Sequence, residues 1–88
     1  MKAFWYNDER KNRCGTRIRE CRKKQKMTIE KLATDAQIAG YDFMTANAIT
    51  KAELGIRFIP DYEVVIFAKL LHTTPDYLLG FNEKQETL

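Results

Sequence analysis

The chain has one histidine, His72, and two cysteines, Cys14 and Cys21, among its 88 residues. No Cys/His cluster with metal-site spacing exists, and no histidine stands in a motif beside a nucleophile, so an enzymatic reading finds no chemistry to rest on. His72 reads as a helix-end residue, and no metal or cofactor is expected. The two cysteines lie seven residues apart in what reads as one helix. A rise of ~1.5 Å per residue holds their backbones too far apart to bridge. They read as small core residues with free thiols, which suits a reducing cytoplasm. Also lacking are an apolar run of the ~18 residues a membrane span needs and an apolar block of signal-peptide type near the N-terminus, so no membrane partner is expected. Strand alternation, internal repeats and low-complexity linkers are missing too, which leaves one compact domain of short helices.

Charge is abundant but uneven. Residues 10–31 carry ten Lys or Arg against Glu20 and Glu30, a local charge of +8, while residues 32–88 carry −4 and the whole chain +3. Such a dipole raises the expectation of a polyanionic partner, although a charge run also serves simply as a solvated helix face.

Residues 1–12 place Phe4, Trp5 and Tyr6 in a polar stretch without periodicity and read as an N-terminal arm whose aromatics fold back on the domain, with a dimer contact or an arm on DNA as the alternative. Cys14, Ile18 and Cys21 then form one apolar stripe on a charged first helix. Thr28 is placed to cap a second helix with Ile29, Leu32, Ala33 and Ala36 on one face, stopping near Gly40. Thr45 is placed to cap a third through about Leu54, with Ala48, Ile49 and Ala52 inward and Gly55 as terminator. Asp61 is expected to cap a fourth helix, YEVVIFAKLL, whose nearly unbroken hydrophobicity suggests burial on several sides. Thr74, Pro75 and Asp76 start a short fifth helix that Gly80 ends. The domain proper is expected over 13–81, followed by a polar tail over 82–88.

The segments RIRECRKKQKMTIEKLA, AITKAELGIR and VVIFAKLLHTTPDYLLG, in that order over about Cys14 to Gly80, resemble the lambda-repressor-like, Cro-type helix-turn-helix family. The resemblance implies a compact all-α five-helix DNA-binding domain whose third helix, about 45–54, enters the major groove of double-stranded DNA while the second crosses its edge. With Ile49 and Ala52 inward, Ala46, Asn47, Thr50 and Lys51 become the candidate base contacts. Asn47 suits adenine, Lys51 suits guanine, and Ala46 suits a thymine methyl. Thr28, Lys31, Thr45 and Arg57 are the candidate phosphate contacts. Arg22 and Glu53 match an ion pair that ties the first helix to the third in that family. So small a reader implies a homodimer on two half-sites, with Tyr77, Leu78, Phe81 and Leu88 as the expected apolar contacts, although Tyr77 and Leu78 fit a core equally well. The implied activity is that of a cytoplasmic transcriptional regulator, a repressor by occupancy.

Two departures stand out. Between Ala33 and Ile49 the chain carries about six residues more than the family pattern, TDAQIAGYDFMTANA, which predicts an enlarged turn with Phe43 or Met44 plugging the core. Ile29 stands where the family often has a polar amide that helps hold a phosphate. These departures, with the aromatic arm, keep a second reading open: a protein-interaction module, an antitoxin or adaptor, on the same fold.

Overall fold

The computed structural model describes residues 5–81, and among them it is all-helical, with five helices and no strand. These are α1 (Gly15–Lys24), α2 (Ile29–Ile38), α3 (Ala46–Leu54), α4 (Asp61–Leu70) and α5 (Pro75–Leu79). None of them is long and apolar enough to cross a membrane.

Local chemistry explains most of the boundaries. The hydroxyls of Thr28, Thr45 and Thr74 accept the amides of Lys31, Ala48 and Tyr77 at 3.0 to 3.1 Å, closing the first turns of α2, α3 and α5. Gly40, Gly55 and Gly80 follow α2, α3 and α5 in the left-handed region that ends a helix without a Cβ penalty. At α4 the expectation of an Asp61 cap is corrected. Pro60 (φ −65°, ψ 159°) holds the cap position with no side-chain bond, and Asp61 is the first helical residue, where its charge meets the helix dipole.

The core draws on all five helices: Cys14, Ile18 and Cys21 from α1 and its entry, Leu32 and Ala36 from α2, Ile49 and Ala52 from α3, Phe67 and Leu71 around α4, and Tyr77 and Leu78 from α5. Met44 is fully buried and fills the gap left by the long α2–α3 turn, while Phe43 beside it is half exposed. Burial on several sides of α4 holds only in part. Glu63, Val64, Ile66, Phe67 and Ala68 are buried, but Asp61, Tyr62, Val65 and Lys69 are exposed along one face.

The segment before α1 is fastened to the domain. Asn12, 5% exposed, donates through Nδ2 to the carbonyls of Ala52 and Arg57, both at 2.8 Å, and its Oδ1 accepts the Gly15 amide at 2.8 Å. Lys11 adds a backbone bond to the Gly55 carbonyl. At Gly15 α1 packs tightly against α3. A Cβ there would stand 2.2 Å from the Ala52 carbonyl oxygen, so any other residue would force the helices apart.

Candidate nucleic-acid interface

The two faces of α3 have opposite character. On the inner face Ile49, Ala52 and Glu53 are buried. Glu53 receives a two-pronged bond from Arg22, Nε to Oε2 at 2.7 Å and Nη2 to Oε1 at 2.9 Å, with both residues about nine-tenths buried. The remaining prong of Arg22 donates to the Met27 carbonyl at 2.8 Å, beside the entry to α2. One guanidinium thus joins α1, the α1–α2 connection and α3. A planar fork matched to a carboxylate has a single good orientation, so the pair fixes the angle of α3 as well as its position. The hydrogen bonds to Glu53 hold the Arg22 guanidinium in its charged form even more firmly than in water, outweighing desolvation.

On the outer face Asn47 and Lys51 are exposed, and neither side chain has a hydrogen bond or ion pair among the described residues. They lie four residues apart, on adjacent turns of the same side. Thr50 and Ala46 flank them, half-buried. The Thr50 hydroxyl donates to the Ala46 carbonyl at 2.9 Å, so its proton is already used and its oxygen remains only as an acceptor.

The four phosphate candidates divide. Thr28 and Thr45 are exposed at the starts of α2 and α3; their oxygens accept the cap bonds, and the hydroxyl protons point to no partner among the described residues. Lys31 is exposed and pairs along the helix with Asp35, a surface contact that exchanges readily with another anion. Arg57 is already engaged within the domain. Its Nη2 lies 2.8 Å from Oε1 of the buried Glu63, in a close ion contact rather than an aligned hydrogen bond, and its Nε donates to the Ala48 carbonyl at 3.1 Å. That guanidinium anchors α4 to α3, because Glu63 would otherwise be left as an unpaired buried charge.

Two arginines beside α3, Arg10 and Arg19, stand outside the candidate contacts expected from the sequence. Arg10, Arg19 and Arg22 line a concavity of about 470 Å³ together with Thr16, Thr50 and Glu53. With Glu53 neutralised by Arg22, the hollow keeps a net positive charge. Arg10 reaches it by wrapping over Gly55 and donating from Nη2 to the Glu53 carbonyl at 2.8 Å, while its Nε is buried without a partner among the described residues. This contact spans 43 residues and leaves no local trace in the sequence.

Of the two places open to Tyr77 and Leu78, the core is the one they take. Tyr77 and Leu78 are 3% and 0% exposed, and the Tyr77 hydroxyl donates to Glu20 at 2.9 Å, so both belong to the core. Phe81 is exposed and stacks its ring on the Arg13 guanidinium, which also lies over Tyr6. Phe4 and Leu88 lie outside the described residues. His72 sits just past the end of α4, exposed and in the left-handed region (φ 56°). Both thiols are free and buried, and burial pushes Cys14 up to about 11 and raises Cys21 in the same direction. Neither has a thiolate to offer near neutral pH. Among the described residues no group of His, Cys, Asp and Glu is gathered as a metal site.

No family model, curated protein or solved structure matches the chain.

Proposed function

We propose that the chain is a sequence-specific double-stranded DNA-binding protein that regulates transcription, with α3 as its reading helix. The observation that carries this reading is the pairing of opposites on α3: Asn47 and Lys51 unpartnered and exposed on one side, and on the other a buried arginine fork that fixes the helix axis. A reading helix needs both. Free donors and acceptors must reach base edges, and they must be held at one angle to the groove. Asn47 pairs with adenine and Lys51 with guanine, each worth ~1 to 3 kcal/mol of discrimination. Thr28, Thr45 and Lys31 meet phosphates, and Arg10 and Arg19 add positive potential beside them. Occupancy of an operator is sufficient for repression, and two copies on adjacent half-sites supply the base pairs that one small domain cannot read. On this reading the protein works in the cytoplasm, where its thiols stay reduced.

The test is capture and sequencing of fragmented genomic DNA by the purified chain, alongside the Asn47→Ala, Lys51→Ala double variant. A palindromic enriched site that the variant loses is the expected result. Salt-sensitive binding with no enriched site, unchanged in the variant, would remove α3 as the reader. It would favour a protein partner instead, for which Ile38, 80% exposed at the end of α2, and the half-exposed Phe43 offer apolar contact.

A further inference from the structure

The outward arc of α4 is formed by Asp61, Tyr62, Val65 and Lys69, at spacings that keep all four within about 100° of the helix circumference. Tyr62 and Val65 are 59% and 42% exposed, and none of the side chains of Asp61, Tyr62 and Lys69 is paired among the described residues. Val65 is the midpoint. Asp61 precedes it by four residues and Lys69 follows it by four, each roughly 6 Å away along the axis. An acid, an apolar centre and a base at equal intervals form a surface that complements itself under a two-fold rotation.

We propose that the exposed face of α4 pairs antiparallel with the same face of a second copy of this chain, about a two-fold axis through Val65. Val65 then meets Val65 of the second copy, and Asp61 meets Lys69 of the second copy twice over, as an isologous contact requires. Tyr62 closes the apolar patch at each end beside that Lys69. The helix dipoles oppose one another in the same arrangement. Parallel pairing is excluded by charge, since it sets Asp61 against Asp61 and Lys69 against Lys69. With Asp61 balancing Lys69 the face has no net positive charge to draw a DNA backbone, and an unrelated protein would need no such symmetry. The stripe is smaller than the ~800 Å² per partner of a standard interface, so the dimer is weak and concentration-dependent, and its charges set register more than affinity. The pairing goes beyond the DNA reading and does not depend on it.

Sedimentation velocity of the full chain without DNA, over a range of concentrations, tests it. The expected result is a mass that rises from monomer toward dimer, and that stays monomeric in Val65→Asp. Asp61→Lys and Lys69→Asp each weaken association roughly tenfold or more, because symmetry repeats every like-charge contact. The double reversal, Asp61→Lys with Lys69→Asp, restores association to the level of the parent chain. All three substitutions fall on exposed positions, and a far-UV circular dichroism melt checks that the fold persists. A monomer at every concentration overturns the proposal, as does a dimer that survives Val65→Asp or a double reversal as weak as either single. None of these results bears on whether Asn47 and Lys51 read DNA, so the two readings fail separately.

Discussion

The connection entering α3, residues 39–45, and the one leaving it, residues 55–60, are held by different kinds of force. The entry is long and mostly exposed. It relies on Met44 as an apolar plug, on the Thr45 cap, and on the Gln37 amide donating to the carbonyls of Asp42 and Met44 at 3.2 and 3.3 Å. The exit is clamped by directional bonds from distant parts of the chain: Asn12 to Ala52 and Arg57, Lys11 to Gly55, Arg10 to Glu53, and the Arg22 fork to Glu53. Hydrogen-bonded pairs have one good geometry, whereas an apolar plug accepts small displacements. The orientation of α3 is therefore set mainly from its C-terminal end. Extra residues are tolerated at the entry because its polar bonds are local, and among the described residues none ties it to a distant part of the chain.

The largest expected effect tests the clamp. Arg22→Ala or Glu53→Ala leaves a buried, uncompensated charge and lowers stability by about 3 to 5 kcal/mol in denaturant unfolding. Replacing both, Arg22→Met with Glu53→Leu, recovers most of that loss, because no bare charge remains. If the singles cost less than ~1 kcal/mol, the exit is not held by this pair and the contrast between the two ends of α3 disappears.

The entry is tested by Met44→Ala. Emptying that space is expected to cost about 2 to 5 kcal/mol, with the spread set by how far the turn collapses into the cavity. Native-state hydrogen exchange should then accelerate more at the amides of Ala48 and Ile49, the first bonded to the Thr45 cap, than at those of Gly55 and Ile56 beyond the clamp. Equal acceleration at both ends would mean that α3 moves as one unit and that its ends are not held separately.

The threonine caps, the glycine stops and the inward stripes of α1 to α3 were legible because each rests on residues within one or two turns. The pairing of Arg22 with Glu53 was legible only through the resemblance, since 31 residues separate the partners. Asn12, Arg10 and the Arg57–Glu63 contact gave different trouble: a polar residue in an aperiodic stretch shows no sign of the carbonyl it will meet some 40 residues away, and Arg57 looked as free as any surface cation. Asp61 was misread because an acid favours either side of a helix start, and the proline before it settled the boundary. Five residues of α5 are too few to show which side faces inward, so Tyr77 and Leu78 fitted an interface as well as a core. Likewise, the apolar letters of α4 hid the one face that stays in solvent.

The smallest effect concerns Cys14, which sits two residues beyond the Asn12 anchor, on the clamped side. Burial holds its thiol neutral and pushes it from 9.0 up to about 11, against the lowering influence of its own backbone hydrogen bond and of the Arg10 and Arg57 charges. In the unfolded chain the thiol releases its proton as pH passes 9.0, while the folded chain keeps it until about 11. Between those values the unfolded state binds fewer protons, so stability must fall as pH rises, by about 2 to 3 kcal/mol in all, and the loss levels off above the folded value. Cys21 and Tyr77 are raised by burial in the same direction, so the diagnostic quantity is the difference between the parent chain and Cys14→Ala. Unfolding curves taken from pH 8 to 11 should converge as the parent loses stability faster than the variant. Parallel curves would show that the Cys14 thiol ionises freely in the fold, and that water reaches it on the clamped side of the molecule.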